Sequence, residues 1–239
     1  MENLKIYIAT HCDFKCPVNG KHYEIADSRK MKIDNAIFDF FYAEIYQYKW
    51  LRDNLELPEY VGFCGYRKYF SFMDNVDENS IIKLINQYGC IVGQRLELKE
   101  NIRQHYFYNH NITDLENLES VVNLSGFSEF FTEYLFGHTL YPCNMFIMKR
   151  EDFVEMIDFV WKTISDFIAK YGWTKAQLED VMNYVSNQNR MGHTLMFGGE
   201  KHQSRIGGYL AERLVSGYIA WKFTNAVAVG MKMTGERIR

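Results

Sequence analysis

A short apolar segment of the sequence runs directly into a pair of basic residues flanked by tyrosines. Residues 59–70 read EYVGFCGYRKYF, with Arg67 and Lys68 following Tyr66. At the carboxyl end of a strand, these cations would lie in the crevice where open α/β sheets bind ligands. Two positive charges beside aromatic faces suit an anionic, ring-bearing ligand such as a nucleoside diphosphate. The alternative is a solvated basic turn above core aromatics.

The segment RIGGYLAERL, residues 205–214, is a second place where charged groups could act on a ligand. Glycines at the start of a predicted helix let backbone amides approach an anion, and the helix dipole favours an anion there. Glu212 follows within two turns and could take the proton of an attacking hydroxyl. Alternatively, Glu212 and Arg213 form a solvated charge pair on the helix surface.

Several motifs that define known enzyme classes are missing. The sequence has no Walker loop, no GxGxxG after a strand, no HExxH and no GxSxG. Cys12 and Cys16, spaced CxxxC with His11 and His22 nearby, could bind zinc. No second cysteine pair follows at zinc-finger spacing, so we predict no metal site.

Alternating apolar and β-branched residues predict strands that would position these groups. The first is Leu4 to Thr10, and others are predicted at 60–64, 90–93 and 140–149, with a long loop after the first strand. Apolar periodicity and capping residues predict helices at 36–54, 78–89, 114–135 (with Asp114 as a cap), 151–172, 174–188 and 207–223. This succession predicts an α/β fold in a single domain spanning residues 1–239.

Glu44 lies on the otherwise apolar face of the predicted helix 36–54. A buried carboxylate needs a partner, so Glu44 would either pair with a nearby base or contact a ligand. The structural alternative is a carboxylate that reaches solvent or pairs locally.

Composition places the chain among soluble globular proteins and excludes some functions. The formal net charge of −3 leaves no excess basic charge for general nucleic-acid binding. Five cysteines without recurrent spacing, and the lack of a signal-peptide pattern, predict a reduced, cytoplasmic protein. No apolar window reaches about 18 residues, so no membrane-spanning helix is predicted. Peripheral attachment through the aromatic and basic C-terminal segment stays open.

Six blocks in a fixed order carry a resemblance that no single motif would establish. They are KIYIATH, Asp34–Asn35, AEIYQYKWLRDN, YVGFCGYRKYF, CNMFIMKREDF and RIGGYLAERL. With these blocks the chain resembles a family of bacterial glycosyltransferase domains of capsule, exopolysaccharide and lipopolysaccharide biosynthesis, over most of its length. The resemblance implies a GT-A-like nucleotide-binding fold, with a mixed central sheet flanked by helices and an activated sugar as donor.

The resemblance also implies roles for individual residues. The positions expected to bind the donor are Thr10, His11, Asp34, Asn35, Tyr66, Arg205 and Gly208. Glu44, Asn144 and Arg213 are expected to contact the acceptor or the sugar. We expect Arg67 and Lys68 to stabilise the leaving group, and Glu212 to act as the base.

The chain departs from the family pattern at two positions of the block YVGFCGYRKYF and in the Phe-rich stretch before Glu44, and it lacks a common metal-binding pair. Gly65 stands where the family usually has His, and Lys68 where it usually has Arg. There is no Asp-x-Asp pair at a strand end, with which many nucleotide-sugar transferases hold a divalent cation. Fixed cations can replace a bound one electrostatically. We therefore expect no cofactor to be required, with a divalent cation as the alternative.

The predicted function is transfer of a sugar from a nucleotide-sugar donor, with a UDP-sugar favoured, to a glycan or lipid-linked acceptor in surface polysaccharide biosynthesis. The protein would act in the cytoplasm, with the inner face of the membrane as an alternative site. A second hypothesis is a catalytically inactive nucleotide- or glycan-binding module of the same fold. A nucleic-acid-binding protein is the third, and the net charge disfavours it.

Overall fold

The computed structural model describes residues 3–34, 36, 39–171 and 205–234. Its strands are β1 Leu4–Thr10, β2 Tyr23–Asp27, β3 Tyr60–Gly65, β4 Lys68–Phe70, β5 Cys90–Val92, β6 Leu96–Glu97, β7 Thr139–Leu140, β8 Phe146–Lys149, β9 Val227–Ala228 and β10 Met231–Met233. Its α-helices are α1 Asp39–Tyr42, α2 Glu44–Asn54, α3 Glu78–Tyr88, α4 Ile102–Asn109, α5 Ile112–Glu119, α6 Phe127–Leu135, α7 Arg150–Tyr171 and α8 Ile206–Lys222.

The central sheet is mixed. β1 pairs in parallel with β2 and β3, and β9 pairs in parallel with β5. β8 is inserted antiparallel between β3 and β5. β4 turns back on β3 as a tight hairpin, with Gly65 opposite Lys68, and β10 pairs with β4. The expected α/β fold with a mixed central sheet is therefore confirmed.

The directions of the strands decide which residues meet at the carboxyl edge of the sheet. β3 ends at Gly65, so the turn that follows it lies at the carboxyl edge of the parallel strands. Because β8 is antiparallel, its amino end lies at the same edge, with Phe63 opposite Phe146. The residues just before β8 are thereby brought beside the β3–β4 turn, which is where open α/β sheets bind ligands.

Aromatic side chains fill the core between the sheet and the helices. Phe63 of β3 stacks on Phe153 of α7 with ring centroids 4.7 Å apart, and Tyr48 of α2 contacts it at 4.1 Å. Full burial of one such phenylalanine contributes about 1.5–3 kcal/mol. This core fixes α2, α7 and α8 on one face, while α3 packs on the other face of the sheet.

The predicted elements are interrupted where the backbone bends sharply. The expected continuous helix 36–54 is wrong, because Ala43, at φ 50°, separates α1 from α2. The expected strand 140–149 is also wrong, because Cys143 and Asn144 have positive φ and separate β7 from β8. Left-handed backbone cannot continue either a right-handed helix or a pleated strand.

Other differences concern polar segments. The predicted loop after β1 contains β2, whose five residues all pair with β1. The helices predicted within 114–135 are α5 and α6, and the cap of α5 is Asn111, whose side chain accepts the Thr113 N–H, rather than Asp114. The predicted helix 174–188 lies outside the described residues. For this reason, a single domain over residues 1–239 stays a prediction.

Candidate active site

A crevice of about 390 Å³ opens at the carboxyl edge of the sheet. It lies between the β3–β4 turn, the segment before β8, the start of α2, the end of α4 and the first turns of α8. Its lining residues are Ala43, Glu44, Gly65, Tyr66, Arg67, Lys68, His105, Asn109, His110, Cys143, Asn144, Arg205, Gly208, Tyr209, Glu212 and Arg213. We call this site the crevice.

The two basic segments predicted from the sequence meet in the crevice. Arg67 and Lys68 enter from the β3–β4 hairpin, and Arg205 enters from the start of α8. The Arg67 guanidinium lies over the Tyr66 ring, 5.2 Å from its centroid. Stacking of this kind holds the cation in place while it keeps its donors available. We call Arg67, Lys68 and Arg205 the cationic group.

Glu212 and Arg213 form a pair that extends from the crevice into the core. Arg213 is only 1% exposed and donates from Nη1 to Glu212 Oε2 at 2.6 Å. Glu212 Oε1 accepts the backbone N–H of Cys143 at 2.7 Å. Burial alone would raise the pKa of Glu212, but Arg213, the Cys143 amide and Lys68 together lower it. Glu212 is therefore an ionised carboxylate, and the solvated surface pair is not what forms.

Lys68 lies beside the thiol of Cys143 on the floor of the crevice. Its Nζ is 2.9 Å from Cys143 Sγ. Burial would lower the pKa of Lys68, but the contact with Cys143 and the charges of Glu212 and Glu44 raise it. Burial raises the pKa of the Cys143 thiol. Lys68 is thus a cation at neutral pH, and Cys143 is a neutral neighbour.

Glu44 is the second carboxylate of the crevice. It is the first residue of α2, half-buried, directly after the bend at Ala43. Among the described residues, no group donates a hydrogen bond to its carboxylate, so both oxygens are available to a ligand. The charge of Glu44 nevertheless acts on Lys68. Glu44 therefore lines the crevice, and its contact with a ligand stays a prediction.

Three non-glycine residues with positive φ surround the crevice. They are Ala43 at 50°, Cys143 at 73° and Asn144 at 49°. The Tyr48 hydroxyl donates to the Asn144 carbonyl at 2.7 Å and holds this bend from beneath. Backbone strain of this kind costs about 1–3 kcal/mol per residue and tends to cluster at functional sites.

The glycine pair at the start of α8 has a packing role. A Cβ on Gly208 would lie 2.5 Å from the Ala43 Cβ, and one on Gly207 would lie 2.4 Å from Phe41 Cε1. The Gly208 N–H already donates to the Arg205 carbonyl at 2.9 Å. The glycines therefore let α8 approach α1 and the bend at Ala43, which brings Arg205 and Glu212 to the crevice.

Three of the expected donor-binding positions are not among the residues that line the crevice. Thr10 is buried at the end of β1, and its hydroxyl donates to the Cys12 carbonyl. His11 packs edge-on against Tyr66, which lines the crevice, but His11 itself is not one of the lining residues. Asp34 is exposed and lies 3.6 Å from Lys32. Asn35 lies outside the described residues.

Helix α4 supplies crevice residues that the sequence analysis missed. His105 and Asn109 are four residues apart and share one face of α4, and His110 follows at its end, stacked on Tyr209 at 4.1 Å. α4 begins with a capping box in which Asn101 and Gln104 exchange hydrogen bonds. An Asn three residues before a Gln is the signal that could have located this helix in a polar stretch.

The described residues that line the crevice do not form a ligand set that fits a divalent cation. Within the described residues, no cluster of three or more His, Cys, Asp or Glu side chains is arranged to hold a metal, and this includes the CxxxC pair with His11 and His22. Of the two crevice carboxylates, Glu212 already accepts hydrogen bonds at both oxygens. Three cations stand nearby and would repel a metal ion.

A known protein family and a solved structure are similar to this chain. The model of a family described as a domain of unknown function, DUF4422, matches residues 5–223. The apo structure of WbbM, a bifunctional glycosyltransferase, shares the fold with a TM-score of 0.69 and 17% sequence identity. The match covers 99% of this chain and 45% of that chain, so this chain spans less than half the length of that protein. The expected GT-A-like fold class is confirmed.

No curated protein matches the chain. Within the described parts of the chain, no helix has both the length and the apolar character needed to cross a bilayer.

Proposed function

The chain belongs to the DUF4422 family, and from this premise we propose that it is a glycosyltransferase that uses a nucleotide-sugar donor. The observation that carries the proposal is the meeting of the cationic group with two carboxylates in one crevice, at the sheet edge where α/β folds bind nucleotides. The shared fold with a glycosyltransferase supports the same class of reaction.

The cationic group is suited to hold the diphosphate of the donor. As the bond between the anomeric carbon and the diphosphate breaks, negative charge grows on the leaving oxygen. Arg67 offers a planar fork of donors for phosphate oxygens, and Lys68 adds a compact charge at the crevice floor. Three fixed cations supply the stabilisation that a metal provides in other transferases, so no step requires a metal.

The two carboxylates divide the remaining work. Glu212 accepts from Arg213 and from the Cys143 amide, and its pKa is lowered, which favours a positioning role over uptake of a proton. Glu44 has no hydrogen-bond donor among the described residues. We therefore assign to Glu44 the removal of the proton from the attacking hydroxyl, and to Glu212 the placement of Arg213 and of the Cys143–Asn144 bend.

The proposed acceptor is defined only by its hydroxyl groups. A glycan or a lipid-linked saccharide presents hydroxyl groups, and Asn144 and Arg213 stay the proposed contacts to the sugar or acceptor. A UDP-sugar as donor and a role in surface polysaccharide biosynthesis follow from the sequence resemblance. The cytoplasm, or the inner face of the membrane, is the corresponding proposed location.

The second candidate is an inactive module that binds a nucleotide or glycan. Gly65 favours it, because a Cβ at this crevice position would meet no atom within 4 Å, and the space is left without a side chain. Release of nucleoside diphosphate from a panel of nucleotide sugars, with varied acceptors and with or without EDTA, separates the two. If the protein is the proposed transferase, we expect nucleoside diphosphate to be released both with and without EDTA. Tight binding of a donor without release under any acceptor would establish the module instead.

A further inference from the structure

We propose that Arg213 fixes His105 in the tautomer that carries its proton on Nε2, and that this N–H recognises a hydroxyl group of the sugar substrate. The proposal rests on the proposed function and adds a specificity residue from α4, an element that the sequence analysis did not predict.

The first step is the contact between the two side chains. Arg213 Nη2 lies 3.2 Å from His105 Nδ1. A guanidinium has five N–H donors and no acceptor, so Nδ1 must be the accepting atom. Arg213 cannot turn away, because Nη1 is held by Glu212 and the guanidinium lies over the Tyr106 ring, 5.5 Å from its centroid.

The second step is the charge of the imidazole. Burial lowers the pKa of His105, and the charge of Arg213 lowers it further, against the opposing effects of Glu100 and Glu212. The ring is therefore neutral at neutral pH. A neutral imidazole with an accepting Nδ1 carries its hydrogen on Nε2.

The third step is what Nε2–H can bind. His105 lines the crevice, and no described group is hydrogen-bonded to its Nε2. Asn144 is 4% exposed and lines the same crevice, and its Oδ1 has no hydrogen-bond partner among the described residues. A neutral donor and a neutral acceptor match a hydroxyl, which both accepts and donates. A phosphate only accepts, so it would leave Asn144 Oδ1 unpaired.

Two variants separate this role from general support of the fold. His105→Gln keeps an acceptor for Arg213 and an N–H donor for the crevice, whereas His105→Leu removes both. We expect His105→Leu to lower kcat/KM for the nucleotide sugar at least about 10-fold, and His105→Gln to stay within a few-fold of the wild type. The Kd for uridine diphosphate, which has no transferred sugar, should change in neither variant.

Two results would overturn the recognition of a hydroxyl. One is unchanged kcat/KM in His105→Leu. The other is equal weakening of uridine diphosphate binding, which would assign His105 to the phosphates. If the wild-type protein neither binds nor turns over any nucleotide sugar, the proposed function fails, and the recognition of a sugar hydroxyl fails with it.

The tautomer can be tested without any activity. A long-range ¹H–¹⁵N spectrum of the folded protein at neutral pH should show one histidine, absent from the His105→Gln spectrum, as a neutral ring protonated at Nε2. A ring protonated at Nδ1, or an imidazolium, would contradict the part played by Arg213.

Discussion

At the scale of single residues, burial and hydrogen bonding distinguish two carboxylates that look alike in the sequence. Glu44 and Glu212 line the same crevice, but only Glu212 is fixed by Arg213 and by the Cys143 amide. Two glutamates of one crevice can therefore have different roles. The oxygens of Glu212 accept hydrogen bonds from the protein, whereas those of Glu44 are available to accept hydrogen bonds from a substrate.

Replacement of Glu44 by Gln tests the assignment of the base. The amide cannot take a proton, so we expect kcat to fall by about 10²- to 10⁴-fold. Because no described group donates to Glu44, the free energy of unfolding should change little. Steady-state kinetics and urea unfolding measure the two effects. A variant with unchanged kcat would remove Glu44 from the mechanism.

Glu212→Gln should instead weaken the fold, in a way that depends on pH. Loss of the charge leaves buried Arg213 unpaired, and we expect about 2–3 kcal/mol of destabilisation at pH 7, below the ~3–5 kcal/mol of a fully buried pair because Glu212 is 25% exposed. The lowered pKa means that this contribution is present above about pH 5 and is lost as the pH falls through the folded-state pKa. The wild-type advantage in unfolding free energy should therefore shrink below about pH 4. An advantage that grew on acidification would contradict the lowered pKa.

At the scale of elements, the sequence predicts helices and strands best where the apolar residues of a segment follow a single period. β1, β3, α3, α7 and α8 follow clear periodicity, and the structure contains them close to the expected bounds. The bends at Ala43 and before β8 were not predictable, because they depend on tertiary contacts such as that between Ala43 and Gly208. These bends bring Glu44 and Asn144 to the crevice.

The contact between α8 and the bend at Ala43 can be tested with two glycine variants. Gly208→Ala places a Cβ 2.5 Å from the Ala43 Cβ, so α8 must move away. Overpacking costs about 1–3 kcal/mol, more than the ~1 kcal/mol that alanine gains in a helix. We expect net destabilisation and weaker nucleotide binding.

Gly65→Ala is the matched control, since its Cβ would meet no atom within 4 Å. Its free energy of unfolding should stay within about 0.5 kcal/mol of the wild type. Equal stability of the two variants, measured by urea denaturation, would show that the close approach of α8 is not required.

At the scale of the whole molecule, the distribution of charge matters more than its sum. The chain has a net charge of −3, yet the cationic group and Arg213 lie around one crevice. The basic segments are separated by well over one hundred residues, so their meeting was visible only from the resemblance and from the sheet topology. The net charge of the chain argues against general nucleic-acid binding, but it could not reveal this local field.

The local field predicts how ligand binding depends on salt. The Debye length falls from ~10 Å at 0.1 M salt to ~3 Å at 1 M. Binding of uridine diphosphate should therefore weaken as salt is raised, while any binding of uridine, which has no phosphate, should not. Titration calorimetry at several salt concentrations measures both ligands. Diphosphate binding that does not respond to salt would argue against electrostatic capture by the cationic group.

The central claim is that fixed side-chain cations stabilise the departing diphosphate. The most direct measurement is turnover, in EDTA, of a protein in which Arg67→Gln and Lys68→Met are combined. Lys83→Met is the matched control, because Lys83 is exposed on α3, on the other face of the sheet. We expect kcat of the double variant to fall at least about 100-fold and the control to match the wild type. Undiminished turnover of the double variant would contradict the claim.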